Sequence, residues 1–490
     1  MHYVTRVLLI TGFLLITGLT LAIADPSVDG SAPIAAKDAQ ADFDALYEGL
    51  KASHVDLYAH RSKKDFDTRF AQIKKRFNQP IERWELTLEF QRFVAYGNVA
   101  HANIAFATDV YSNYRESGGL AFPIYPRIVD GRTYIGEDYS GIDAIQPGDE
   151  ILAINDVSMV EWLERTSAHI SADTPYIAHS LLEFWFPVYL WVELGEQPSY
   201  TLSVMSRGDK RHDVRVPGLT RADIAAAGDS SNDAFSLDAS SRSYRMLTDK
   251  IAYLRSGPFY NVEDAENLWD NNAYATFVDA AFEDFIKNDA TALVIDLRNN
   301  PGGDNSFSDH LLAWVADKPF RFASQFLIRS SDAAAASNQA RIDAQPDAAA
   351  STSAQLAAFY EKTERGQIAE FDLPYSQPRD GVRFEGDVYV LVDRHSYSNA
   401  VNVAAMVQDY RWGVVAGEKT TDMATTFGAM EHFTLPKTGI RVGFPKAHII
   451  RPSGRTDTHG VTPDVLIATP IVAGANDAVL DQLIAIIQQR

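Results

Sequence analysis

The chain has 490 residues, 46% of them hydrophobic and 22% charged; this is globular composition, and the length predicts two to four domains rather than one core. A formal net charge of −21 excludes nucleic acid as a main partner, because phosphate binding needs clustered Lys and Arg. The absence of cysteine excludes disulfides, thiolate metal sites, a cysteine nucleophile and a lipid-modified amino-terminal cysteine.

The opening stretch, MHYVTRVLLITGFLLITGLTLAIAD, carries the cation Arg6 and then an apolar run to Ala22. Ala22-Ile23-Ala24 has the small-x-small form of a signal-peptidase site, so residues 1–24 read as a signal peptide and the mature chain as starting near Asp25. An uncleaved amino-terminal anchor is the rival reading. Either way the expectation is an exported protein, periplasmic or secreted, with no further membrane contact; a periplasm allows disulfides without requiring them.

Residues 25–118 predict a helical domain after an Ala/Pro/Asp-rich tether. FDALYEGL, FDTRFAQIKKRF and WELTLEFQRFVAYG repeat apolar residues three and four apart, and Pro80 separates the second helix from the third. Residues 119–215 change to strand alternation, with turns at Asp130-Gly131 and Arg207-Gly208-Asp209. Between them, IQPGDEILAINDVSM resembles the PGD-x-I-x-x-I-N signature of PDZ domains, which bind peptide ends by strand addition; an ordinary β-hairpin is the plainer alternative. Residues 216–243 read as a linker. From 244 to 490 strands and helices alternate, which predicts an α/β core. ALVIDL is a continuous apolar run suited to a strand buried on both faces, and the apolar run VYVLV reads as a buried strand. Residues 331–358 are low in complexity and read as an insertion with helical stretches.

Two loops of this core stand out. In DLRNNPGGD, Gly302 and Gly303 free the backbone to aim N–H groups at an oxyanion, although a Gly-Gly turn alone is equally a tight connection. In DRHSYSNAV a serine sits where an apolar strand meets a helix. Ser398 there gains from the helix N-terminus, with the Asn399 N–H beside it, while Ser396 has the commoner fate of a helix-capping serine. A serine hydroxyl needs a base, and no lysine is placed to serve.

The motifs ALVIDLRNNPGG, VYVLVDRHSYSNAVNVAAMVQDYRWGVVAGEKT and HGVTPDV, with HVDLYAHRSKKDFDTRF and the PDZ-like segment, resemble the tail-specific (C-terminal processing) serine peptidase family over nearly the whole mature chain. That resemblance implies a ClpP/crotonase-type core and an acyl-enzyme mechanism. It also marks a departure. The Ser-Lys branch carries its lysine in the turn after GE, where GEKTTDMATTFG has Met423, and Lys419 comes too early. The sequence is closer to the branch of the tricorn core peptidase and the retinoid-binding protein of the eye, whose base is a histidine after the helical domain. NVAHANI supplies His101 there, with Ala100 where the tricorn type has serine, and RTDTHGVTPD supplies Asp457 as the acid, with His459 as a competing partner.

The resemblance thus implies Ser398 as nucleophile, His101 as general base, Asp457 as its orienter, and Gly302 or Gly303 with Asn399 as oxyanion donors. Such a triad needs no metal and no cofactor. His395 is a candidate substrate contact, Arg298 a brace of its loop, and Asp409 and Arg411 structural partners. His310, His432 and His448 lack metal-ligand spacing, and no HExxH, Walker or dinucleotide fingerprint is present. The expected function is an exported serine endopeptidase acting on polypeptides. The alternatives are an inactive peptide-binding protein of the same fold and a crotonase-type acyl-thioester enzyme, the latter at odds with export.

Overall fold

A computed structural model describes residues 33–208, 210–228, 240–344, 352–472, 474 and 476–489. The expected signal peptide lies outside them. No helix among the described residues is long and apolar enough to cross a membrane.

The chain opens with α1 (Ala36–Ser53), α2 (Lys63–Lys74), α3 (Arg83–Ala95) and α4 (Thr108–Glu116). The three-and-four spacing places Phe43, Leu46 and Leu50, Phe66 and Ile73, and Leu86, Phe90 and Phe93 on inward faces, all fully buried. Ser62 starts α2 by accepting the Asp65 N–H on its hydroxyl.

The middle of the chain holds β1 (Ile124–Val129), β2 (Arg132–Asp138), β3 (Glu150–Ile154), β4 (Val157–Ser158), α5 (Met159–Ser167), α6 (Pro175–Leu194), β5 (Ser199–Met205), β6 (Arg211–Pro217) and α7 (Arg221–Gly228). Its antiparallel sheet has the order β1-β2-β3-β5-β6, with β4 paired to β3. Asp130 and Gly131 both have positive φ, 51° and 76°, as a two-residue hairpin turn demands. Helix α6 begins on a Thr174 cap with Pro175 at its first position, and it packs Leu182, Phe186 and Leu190 onto the sheet. The stretch 216–243, expected as linker, contains helix α7. Its alanines favour helix, and the buried Ile224 anchors it.

The rest comprises β7 (Ser243–Met246), β8 (Ile251–Arg255), α8 (Asn272–Lys287), β9 (Ala292–Asp296), α9 (Asn305–Ala313), β10 (Gln325–Arg329), α10 (Asp332–Ala344), α11 (Thr352–Lys362), β11 (Ile368–Glu370), β12 (Asp387–Val392), α12 (Asn399–Tyr410), β13 (Val414–Gly417), β14 (Thr426–Thr434), β15 (Arg441–Ile450), β16 (Val465–Leu466) and α13 (Ala478–Gln488). The main sheet runs β16-β13-β12-β9-β8-β7, parallel except for the edge strand β7. One face packs Leu293, Ile295 and Val390 against α8, α9 and α12, and the other packs Val294, Tyr389 and Leu391 against Leu480 and Leu483 of α13. That double burial is why these strands read as unbroken apolar runs.

A second sheet, β11-β10-β15-β14, shares one core with the amino-terminal helices: Phe326, Ile328, Val442 and Phe444 belong with Phe43, Leu46 and Phe90. Short amphipathic helices leave an apolar face open, and this sheet closes it. Asp42 in α1 reinforces the contact by accepting the N–H groups of Lys437 and Thr438 at 2.9 and 2.7 Å.

Candidate active site

Strands β9 and β12 are parallel neighbours, so the loops after them lie side by side, where α/β sheets place their sites. Asn300 joins the loops. Its carbonyl accepts the Tyr397 N–H at 2.9 Å, its Oδ1 accepts the Gly302 N–H at 2.8 Å, and its amide donates to the Gly257 carbonyl at 2.6 Å. Arg298 braces the first loop by bridging Asp296 and Asp477 at 2.7 and 2.6 Å. Ser396 donates to the Leu297 carbonyl at 2.8 Å and is fully buried, which leaves Ser398 as the half-buried hydroxyl of the corner.

Ser398 has φ 51° and ψ −122° at the start of α12, a conformation that few non-glycine residues adopt and that clusters at functional corners. Its N–H donates to Asp422 Oδ2 at 2.7 Å and so faces away from any oxyanion. Two neighbouring N–H groups have no partner among the described residues, those of Asn399 and Gly303. Asn399 is the first residue of α12, where an N–H has no intrahelical acceptor. Of the two glycines, Gly302 has spent its N–H on Asn300, so Gly303 is the free donor. Gly302 is instead the close-approach residue: a Cβ there would lie 2.7 Å from the Asn399 nitrogen and 2.8 Å from Ser398 Cβ. The arrangement leaves two aimed dipoles beside a hydroxyl, the elements of an oxyanion hole.

The segment after α3 carries His101 to this corner. Asn103 and Gly443 exchange both backbone hydrogen bonds, at 3.1 and 2.7 Å, which pins the segment to β15. The buried His101 ring then stacks on that of Tyr397, with centroids 5.3 Å apart and planes 22° apart. Ser398 Oγ and His101 are not hydrogen-bonded in this conformation, and Nδ1 of His101 is buried without a partner among the described residues. Catalytic contacts are often loose before substrate arrives.

Asp457 makes no hydrogen bond or ion pair with His101 among the described residues; it lies in an exposed loop, 3.3 Å from the His459 ring. The carboxylates beside the corner are two that sequence reasoning missed. Asp422 is fully buried, and burial, with Asp173 adding, pushes its carboxyl above the ordinary carboxylate range against the opposing pull of His101 and two N–H groups. Asp173, from the loop before α6, accepts the Ala100 N–H at 2.9 Å and lies 3.5 Å from His60. Burial, with Asp422 and Asp173 adding, holds the Tyr397 phenol well above its ordinary range. Asp422 had one sequence signal, its place immediately before Met423; Asp173 had none.

His395, expected at substrate, faces the middle unit instead. It sits 3.0 Å from Glu183 of α6, which also pairs with Arg127 at 2.6 Å and Arg394 at 2.9 Å. Burial raises the Glu183 carboxyl, but Arg127, His395 and Arg394 outweigh it and bring it down to about 2. Among the described residues no cluster of His, Asp and Glu could hold a metal ion.

Residues 250–467 match the family model described as Peptidase family S41. The protein is a serine peptidase. The matched residues run from β8 to β16 and carry Ser398, Asn399 and both glycines, while His101 lies outside them. Mature CPAF complexed with lactacystin is similar at 14% identity over 93% of this chain and 99% of that one, with a TM-score of 0.62. Mature CPAF alone is similar at 15% identity, over 88% and 93%, with a TM-score of 0.59. These likenesses show that the shared fold extends over most of the chain, beyond residues 250–467. No curated protein matches the chain.

Proposed function

We propose that the protein is an exported serine endopeptidase that cleaves polypeptides through an acyl-enzyme, with Ser398 as nucleophile and His101 as base. The observation that carries this reading is the Ser398 corner: a strained, half-buried serine flanked by the unclaimed N–H groups of Gly303 and Asn399, with an imidazole stacked on the preceding residue. Ser398 Oγ attacks the scissile carbonyl carbon as its proton passes to His101. The carbonyl π electrons move onto oxygen, and the two N–H groups hold the oxyanion. Collapse breaks the C–N bond, and the amine leaves with the proton from His101. Water, deprotonated by His101, then hydrolyses the ester and restores the serine. No metal or cofactor enters these steps. Export rests on the leader-like sequence of residues 1–24 and the absence of cysteine, and substrate binding by the PDZ-like unit rests on its PGD turn.

A serine-directed fluorophosphonate tests the reading on the full chain. Wild-type protein should be labelled, Ser398→Ala should not, and His101→Gln should react at least ~100-fold more slowly. Labelling that survives Ser398→Ala, or wild-type protein that folds without being labelled, contradicts it.

A further inference from the structure

We infer that Asp422 is a positioning residue of this site: its carboxylate fixes the Ser398 corner through the backbone and supplies the negative charge against which His101 takes up the serine proton. The inference rests on the Ser398–His101 reading and adds to it the acid that the resemblance had assigned to Asp457.

Three observations carry it. First, the loop between β13 and β14 is tied to the nucleophile loop at both ends of the turn. Asp422 Oδ2 accepts the Ser398 N–H at 2.7 Å, and Thr421 donates its hydroxyl to the Arg394 carbonyl at 2.7 Å. A charge-assisted bond to the amide of a residue at φ 51° opposes the strain that would relax the corner. Second, Asp422 is a fully buried carboxyl group with no Lys or Arg partner among the described residues. Its Oδ1 is occupied by the Met423 N–H at 2.9 Å, and His101 is the group whose positive charge acts on it. The attraction is mutual, so an anion held at Asp422 favours the imidazolium that forms during attack. Third, Asp457 is occupied elsewhere, with His459.

The position of Asp422 has its own logic. It immediately precedes Met423, where the Ser-Lys branch carries its base. A buried carboxylate there would hold a neighbouring lysine charged and useless as a base, whereas beside a histidine that must accept a proton the same charge helps. Among the described residues, Asp173 acts on both Asp422 and Tyr397, Asp422 also acts on Tyr397, and His60 lies behind Asp173.

The test is the pH dependence of fluorophosphonate inactivation, compared between wild type and Asp422→Asn. Asp422→Ser is the second variant, since it offers a hydroxyl to the Ser398 N–H without the charge. Both should slow inactivation at neutral pH by ~100-fold or more, and both should move the acid limb of the profile downward by about one pH unit. A purely structural role would lower the rate or the folded fraction without moving that limb, and an unmoved limb overturns the inference. So does Asp457→Asn moving the limb in its place. Folded wild-type protein that never reacts defeats the peptidase reading itself, which separates the two failures.

Discussion

His101 lies flat on Tyr397, its ring 5.3 Å from a phenol ring that belongs to the residue just before Ser398. Almost the whole length of the middle and early core separates the two in sequence, and the Asn103–Gly443 pairing closes the gap. The stack fixes the plane of the imidazole while Asp422 fixes the amide of Ser398, so the proposed base and nucleophile bear on adjacent residues, 397 and 398, of one turn.

Tyr397→Leu removes that platform. An aromatic pair contributes about 0.5–1.5 kcal/mol beyond buried area, so kcat should fall by roughly 3- to 10-fold, with KM little changed. Steady-state cleavage of a peptide substrate checks this.

The two glycines should fail differently. Gly302→Ala, at φ 88°, drives a methyl to 2.7 Å from the Asn399 nitrogen and the Tyr397 carbonyl oxygen and should abolish probe labelling at a smaller cost in stability. Gly303→Ala meets the Phe259 carbonyl at 2.1 Å, at φ 133°, and should cost both labelling and stability. Labelling beside urea unfolding separates the two.

Glu183 ties α6 to the nucleophile loop. Its folded carboxyl ionises at about 2, against ~4.3 unfolded, so its contribution is complete above about pH 5 and is lost as pH falls through about 2. Glu183→Gln removes one of the two carboxylates that Arg127 and Arg394 share, leaving Glu418, and should cost ~1–3 kcal/mol at pH 7. Denaturant unfolding should show the gap between wild type and variant narrowing as pH drops below 4.

Asp309 of α9 has the opposite sign. Burial pushes its carboxyl up to about 7; Oδ2 accepts the Ser376 hydroxyl at 2.6 Å, and Oδ1 has no partner among the described residues. A raised folded value stabilises the fold at low pH and loses that benefit as pH rises through 7. Asp309→Asn should therefore stabilise the protein at pH 8 by ~2 kcal/mol and have little effect at pH 5, as read by urea unfolding.

The sequence carried the parts of the fold that leave a local trace. ALVIDL declared a doubly buried strand, VYVLV a buried one, Asp130-Gly131 its hairpin, and the serine at a strand–helix junction its corner. Long-range partners leave no such trace. Nothing in the amphipathic early helices names β10 and β15 as the surface that covers them. Nothing in a lone aspartate before Met423 says that its carboxylate meets Ser398, and Glu183 reads as one polar residue in an apolar helix until α6 is laid against Arg394. Of Gly302 and Gly303, composition cannot choose; the Asn300 side chain does, by taking one N–H.

The account turns on Ser398 being acylated with His101 as its base. A crystal structure of the fluorophosphonate adduct measures this directly. The phosphorus should be bonded to Ser398 Oγ, its oxygen about 3 Å from the nitrogens of Gly303 and Asn399, with the His101 ring in hydrogen-bond contact with the adduct. An adduct on another side chain, or an oxygen pointing away from both amides with His101 out of reach, would contradict it.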